Sequence, residues 1–337
     1  MVTITQIARE LGLSKSTVSR ALRGLPTVSP ETIEAVQAKA AQLDYVPSVA
    51  AAGLSIGRNH AIGVLVPSLN RWFYSSVVTG IDRALAELGY DVVLFDLDRN
   101  HAEVTRVFER SLLRRRVDAL IVVATTFSDP ELLELTTLDI PIIAVGPPAP
   151  GLRTIGVDDD AIMTTATEHI LELGHRRLGF LGGYDRESLT SEGATRRERA
   201  FMRAAQAAGA VVDPRWVLPA EYRLGSARRM VGEMLASQER PTALVCASDE
   251  MAVGAISAVL DAGLSVPQDI SVIGIDGHEY ADAFDLTSCA QDVPSQGGAA
   301  ARQLVAEVQG AEPPASFAPA AYELVVRGST APPRASG

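Results

Sequence analysis

The stretch IARELGLSKSTVSRALRG, residues 7–24, reads as two short amphipathic helices separated by a glycine turn. Upstream, Ile4 joins Ile7, Ala8 and Leu11 at helical spacing to form one apolar face. Thr3 and Gln6 fit a capping box at the start of that helix, each side chain satisfying a free backbone N–H. Gly12 ends it. Ser14 can cap a second helix, Lys15 to about Arg23, which turns Val18, Ala21 and Leu22 inward; Gly24 suits a left-handed C-terminal cap. Downstream, Ser29-Pro30-Glu31 opens a third helix in the preferred order of cap, first-turn proline and first-turn acid. Ile33, Val36, Ala40 and Leu43 are its buried stripe.

Helix, glycine turn, helix and bracing helix is the helix-turn-helix plan. The second helix exposes Lys15, Ser16, Ser19 and Arg20. Arg and Lys can pair with guanine edges and Ser with several partners, so this face could read bases. The same periodicity also suits a small helical bundle with a solvated polar face. The net charge of −11 looks wrong for a nucleic-acid binder until it is divided. Residues 1–58 hold six Lys/Arg against four Asp/Glu, a net +2, which leaves −13 for the remainder. Only the first end need approach phosphate.

The chain has 337 residues, enough for two or three cores, with 47% apolar and 21% charged residues. No run of apolar residues is long enough to span a membrane, and Arg9 and Glu10 stand where a secretory signal needs an apolar core. Cys246 and Cys289 are the only cysteines, which argues against a disulfide framework or a cysteine-rich zinc site. His169 and His175, the closest of five histidines, do not have the spacing of a metal pair. No metal and no cofactor are expected.

From Ala61 the pattern changes. AIGVLV, DVVLFDL, DALIVVA, PIIAVG, RLGFLGG, TALVCAS and ISVIGID are short apolar runs without alternation. Helical stretches such as SSVVTGIDRALAELG and MTTATEHILELG lie between them. Such runs suit parallel strands covered by helices on both faces. Two doubly wound lobes follow, with ligand expected in the cleft beyond the strand ends.

IARELGLSKSTVSRALRG followed by VSPETIEAVQAKAAQLDYVPS resembles the DNA-binding headpiece of the lactose-repressor (LacI/GalR) family of bacterial transcription regulators. The Ser-x-x-Thr-Val-Ser-Arg run and the Leu-x-Tyr-x-Pro close carry the likeness. The second part resembles the same family, and through it the periplasmic sugar-binding proteins, at ELGHRRLGFLGG, SDEMAVGAISAVLDAGLSVPQDISVIGIDG and the Gln-Asp of AQDVPSQGG. The resemblance implies an all-α helix-turn-helix headpiece over residues 1–46 and a hinge over 47–59. It implies a periplasmic-binding-protein-like sensor of two doubly wound parallel-sheet lobes over 60–330, and a disordered tail over 331–337. One lobe is expected from about 60–160 plus 291–320, the other from about 161–290 plus 321–330, the latter closed by a strand near Tyr322 to Val326.

The resemblance also implies roles. Lys15, Ser16 and Arg20 match residues that read bases; Ser16 is short, so Lys15 and Arg20 should carry more of the specificity. Thr17 and Ser19 match residues that touch phosphate or support the helix, and Thr3 is a further DNA contact. Leu54, in SVAAAGLSIGR, matches a hinge leucine that wedges into the minor groove when the hinge folds on DNA. In the sensor, Arg197 and Asp276 match an arginine and a strand-end carboxylate that bind effector. Phe73, Tyr74 and Tyr222 match cleft aromatics, and Ser248 stands where an asparagine is common. Asp249 is expected to cap the helix beginning at Glu250. Arg71-Trp72 replaces a common Asn-Pro, and Gly146 a carboxylate found in some members. The expected protein is a cytoplasmic homodimer, not an enzyme and not bound to membrane, that represses transcription from a pseudo-palindromic double-stranded operator. Its effector is expected to be a small molecule, most often a sugar or sugar derivative, acting as inducer or as corepressor. A sugar-transport component would share the lobes but start with a signal peptide. An α/β enzyme would show GxGxxG, GxxxxGK[ST] or Gly-x-Ser-x-Gly, and the glycine cluster at Gly182-Gly183 matches none of these.

Overall fold

The computed structural model describes residues 3–22, 24–45, 58–97, 116–149, 151–183, 191–313 and 317–334. The chain divides into two compact units, Met1–Asn59 and His60–Gly337.

The first unit holds α1 (Ile4–Leu11), α2 (Lys15–Leu22) and α3 (Pro30–Gln42). Ile7, Val18, Ala21 and Val36 are buried together as its core. Gly12 and Gly24 both take φ 64°, the left-handed conformation that lets each helix stop within one residue. Ser14 Oγ accepts from Thr17 N at 3.1 Å and Ser29 Oγ from Thr32 N at 3.3 Å, so both expected caps form. The Thr3–Gln6 capping box does not. The Thr3 side chain makes no cap hydrogen bond, Gln6 N donates to the Thr3 carbonyl at 2.9 Å, and the Gln6 amide turns to Glu10.

The second unit contains two six-stranded sheets. The first lobe runs β1 (Ala61–Val66), α4 (Trp72–Leu88), β2 (Asp91–Asp96), β3 (Ala119–Val123), α5 (Asp129–Thr136), β4 (Ile142–Val145) and β5 (Arg153–Gly156). The chain then builds the second lobe from α6 (Asp159–Glu172), β6 (Leu178–Gly182), α7 (Ser191–Ala207), β7 (Val217–Pro219), α8 (Leu224–Leu235), β8 (Ala243–Cys246), α9 (Asp249–Asp261), β9 (Ser271–Asp276), α10 (Tyr280–Ala283) and β10 (Thr287–Gln291). It returns to the first lobe for α11 (Val293–Val308) and β11 (Phe317–Pro319), and ends in the second with β12 (Tyr322–Val325). Strand orders are β11-β5-β4-β3-β1-β2 and β12-β10-β9-β8-β6-β7. All pairings are parallel except β10 with β12, an antiparallel edge.

The apolar runs are continuous because both sheet faces are covered. Along β1, Ile62, Val64 and Val66 join the core under α4 and α11, while Ala61 and Leu65 join the core on the opposite face with Leu135 of α5. β3 repeats the alternation, with Ile121 on one side and Leu120 and Val122 on the other. Helices α4 and α11 pack at backbone distance. A Cβ at Gly80 would fall 1.8 Å from the Pro294 carbonyl oxygen, and one at Gly297 would fall 2.2 Å from that of Val77.

Four strands lacked a legible signal. β5, β7 and β11 are short, and β10 is Thr-Ser-Cys-Ala-Gln, whose hydroxyls are buried but satisfied. Ser288 Oγ donates to Asp249, and Thr287 N donates to Ser329 Oγ at 2.8 Å. Two further expectations are corrected. Ser248, not Asp249, caps α9, accepting from Met251 N, because Asp249 is turned inward and fully buried. Residues 331–334, expected in a disordered tail, are held to the second lobe. The Ala331 carbonyl meets His175 Nε2 at 2.8 Å, and Arg334 pairs with Asp269.

Candidate functional site

On α2, successive residues are turned by 100°, so Lys15, Ser16, Ser19 and Arg20 share one side and Val18 and Ala21 the opposite side. Val18 and Ala21 are buried, whereas Lys15, Ser16 and Arg20 are exposed. Ser14 Oγ lies 2.8 Å from both Ser16 Oγ and Thr17 Oγ1, which ties these hydroxyls to the helix start. Thr3 is exposed at the head of α1. Leu54 lies outside the described residues.

The two lobes enclose a cavity of about 230 Å³. Both sheets have the strand order in which the winding direction reverses, at β1/β3 and at β6/β8. Ligands of such sheets sit beyond the strand ends at that reversal, and the cavity walls are the segments that follow those ends. Phe73 and Tyr74 come after β1, Ala124 to Phe127 after β3, Ser248 and Glu250 after β8, and Asp276 at the end of β9. All six sensor residues singled out in the sequence, Phe73, Tyr74, Arg197, Tyr222, Ser248 and Asp276, line this one space.

Arg197 on α7 is buried. Its Nε donates to Asp159 Oδ1 at 2.7 Å, its Nη1 to the Ala247 carbonyl at 2.5 Å, and Nη1 stands 3.8 Å from Asp276 Oδ1. Burial works against its charge, but the carboxylates of Asp159 and Asp276 outweigh that and hold the guanidinium firmly protonated. Burial pushes Asp276 up to about 7, against the pull of Arg197 and of a hydrogen bond from Gln291 Nε2 at 2.9 Å. Asp276, which lines the cavity, has φ 123°, a sparsely populated conformation for a residue with a Cβ. The Tyr222 ring lies against the backbone of Gly183, where an added Cβ would come within 1.6 Å of it, and burial raises its phenol pKa. Phe73 and Tyr74 meet edge to face at 5.7 Å.

Arg71 and Trp72 join the lobes beside the cavity. The Arg71 guanidinium donates to the Tyr222 carbonyl at 3.0 Å and to that of Glu221. The Trp72 ring lies 4.7 Å from that of His278, which in turn lies 4.3 Å from Tyr280.

Residues 3–48 match the model for bacterial regulatory proteins of the lacI family, and residues 167–330 that for a periplasmic binding protein-like domain. The HTH-type transcriptional repressor PurR of Photobacterium profundum is 32% identical over 288 residues, covering 84% of each chain. The chain belongs to the lacI family. Catabolite control protein A of Priestia megaterium is 27% identical over 307 residues, 90% of this chain and 91% of the relative. The lac repressor dimer bound to operator and the anti-inducer ONPF superposes with a TM-score of 0.86 at 27% identity, covering 98% of this chain and 99% of that one. The transcriptional regulator CelR–cellobiose complex gives 0.70 at 26% identity, with 98% and 100% covered. As a lacI-family protein, the chain is a DNA-binding transcriptional regulator. Among the described residues no helix is long and apolar enough to cross a membrane, and no group of three His, Cys, Asp or Glu could hold a metal.

Several residues of this lacI-family cavity went unnoticed in the sequence. Asp159, which holds Arg197, sits in a run of three aspartates, of which Asp158 caps α6. Phe127, Leu132 and Pro148 lie in loops and at a helix start with no local signal. Gln291 and Gln296 form a chain of amides, Gln296 Nε2 to Gln291 Oε1 at 2.8 Å and Gln291 to Asp276, that begins where the backbone passes between the lobes. The quoted Gln-Asp of AQDVPSQGG contains the first of them.

Proposed function

We infer that this protein is a transcriptional repressor that binds a pseudo-palindromic operator as a homodimer, with operator affinity set allosterically by a sugar or sugar derivative. The observation that carries the effector half is the convergence of Arg197, Asp276 and three aromatics on one enclosed cavity between lobes. A guanidinium and a carboxylate can exchange hydrogen bonds with hydroxyls of either polarity, and aromatic faces suit the C–H side of a sugar ring. A solved relative was captured with cellobiose, and another as a dimer on operator with an anti-inducer. On the DNA side, Lys15 and Arg20 are assigned to base edges, Ser16 to a shorter-range base contact, Thr17, Ser19 and Thr3 to phosphate or helix support, and Leu54 to the minor groove. An effector that prefers one lobe arrangement shifts the population toward it, and the hinge over 47–59 carries the shift to the headpiece.

The test is a thermal-shift screen of sugars on the full chain, followed by operator titration with each stabilising compound. A hit that changes operator affinity gives the ligand and the sign together. Stabilising hits without any effect on operator affinity would overturn the allosteric reading. Arg20→Ala should weaken operator binding by about tenfold or more and relax sequence preference at one position; unchanged selectivity would displace α2 as the reading helix.

A further inference from the structure

The segment that joins β7 to α8 adopts a conformation its residues resist. Arg223 N donates to the Ala220 carbonyl at 3.1 Å, closing a four-residue turn. The two central residues, Glu221 and Tyr222, have φ 57° and 54°. Left-handed backbone at both central positions makes a turn that Asn-Gly fills readily and that other residues with a Cβ disfavour. Nothing in the sequence of the turn supplies that preference, so its support comes from elsewhere. Both central carbonyls accept from one guanidinium, Arg71 Nη1 reaching Tyr222 O at 3.0 Å and Nη2 reaching Glu221 O. Arg71 belongs to the other lobe. It is the N-cap residue of α4, and its own carbonyl accepts from Ser75 N at 3.1 Å. The next residue makes a second tie. The Trp72 ring lies 4.7 Å from that of His278, which follows β9 in the second lobe. His278 is itself fixed, its N donating to Asp249 Oδ2 at 2.8 Å and its Nδ1 accepting from Tyr280 N at 3.0 Å.

We propose that Arg71 and Trp72 form a latch that holds the lobes together without effector, and that Arg71 is a positioning residue that keeps the turn over residues 220–223 left-handed from the opposite lobe. The latch does not depend on what the cavity binds. Residues 71 and 72 are consecutive at the start of one helix, so when the lobes part the guanidinium leaves both carbonyls as the stack on His278 opens. The turn then relaxes toward negative φ and carries the Tyr222 ring off the Gly183 backbone, against which only the missing Cβ lets it lie. Strain in the turn favours release, whereas the two hydrogen bonds and the stack favour closure. The balance between open and closed lobes is therefore set in part by these few residues.

Hydrogen exchange read by mass spectrometry on the full chain, with no ligand added, tests this. In Arg71→Ala the amides of residues 220–223 should exchange about tenfold faster than in the parent, or more, while peptides from β8 and β9 of the same lobe keep their rates. A sequence that suits the turn should make Arg71 dispensable. In a chain carrying Glu221→Asn and Tyr222→Gly, adding Arg71→Ala should change exchange of the turn by less than about twofold. Fluorescence gives a second readout. Trp72 and Trp216 are the two tryptophans of the chain, and Trp216 is buried in the second-lobe core, so acrylamide reaches chiefly Trp72. The quenching constant should rise about twofold or more in Arg71→Ala, and Trp72→Phe should abolish that rise. Turn exchange indifferent to Arg71, acceleration spread equally through β8 and β9, an Asn-Gly turn as sensitive to Arg71 as the native one, or quenching unchanged in Arg71→Ala would each overturn the latch.

Discussion

Asp249 and Asp276 differ in what burial does for them. Asp276 lines the cavity, whereas Asp249 lies behind it, taking hydrogen bonds from Ser288 Oγ at 2.7 Å and from His278 N at 2.8 Å. Burial, reinforced by the charge of Asp276, pushes Asp249 up to about 8 from 3.8. A carboxyl with its folded pKa raised contributes fully to stability below its unfolded value, and that contribution is lost as pH climbs through the folded value. Between pH 5 and 9 the melting temperature of Asp249→Asn should therefore rise relative to the parent; a difference independent of pH would mean that Asp249 titrates normally. Gly183 makes a second case. Its missing Cβ leaves room for the Tyr222 ring, so Gly183→Ala must displace a cavity wall. A stability loss of about 1–3 kcal/mol in urea is expected, together with a tenfold or greater loss of affinity for any sugar that binds the parent. Unaltered affinity would remove Tyr222 from the binding surface. At this scale the sequence was legible where a motif named the residue, as for Arg197 and Asp276, and silent where a partner was needed to give it meaning, as for Asp159.

Among the elements, α4 and α11 show how composition encodes contact. Gly80 and Gly297 interleave with the facing backbones, and no side chain could be accommodated without separating the helices. Gly80→Ala should cost about 3 kcal/mol or more, at the upper end for overpacking, because the obstacle is the Pro294 backbone rather than a movable side chain. Chemical denaturation measures it, and a loss under about 1 kcal/mol would show that the pair can slide apart freely. The long elements were legible from period alone, since a strand covered on both faces and a helix covered on one leave different apolar patterns. The exceptions have physical causes. β10 buries Thr287, Ser288 and Cys289, and a polar strand becomes buriable only when Asp249, Ser329 and Arg327 supply hydrogen bonds from elsewhere. The cap of α9 was misassigned because Ser248 and Asp249 are both good capping residues; the inward partners of Asp249 decided between them.

For the molecule as a whole, the proposed switch obeys linkage. If an effector changes operator affinity by some factor, operator must change effector affinity by the same factor. Titrating effector into the free protein and into the operator complex should give two per-site dissociation constants whose ratio, squared for the two effector sites of a homodimer, equals the change in operator affinity. An effector affinity identical in the free protein and in the operator complex would exclude the coupling altogether. Complete switching, from about 99:1 to 1:99, demands about 10⁴-fold differential affinity, so a smaller measured ratio predicts partial control in proportion. The charge division belongs to this scale too, with +2 in residues 1–58 and −13 elsewhere. The headpiece can approach DNA while the sensor's excess of acid repels it, and binding should weaken steeply with salt.

By itself, the amino-acid order determined the helical headpiece, the two α/β lobes and which face of α2 stays exposed, because those depend on the period of apolar residues and on capping within a few positions. Tertiary structure alone decided which side chains share the cavity and which of them are already spent on one another. The segments that build it come from residues 71 to 276 and from both lobes. Whether a buried arginine has charge to spare depends on carboxylates brought beside it by strand order and helix packing within the second lobe, and no local pattern records that.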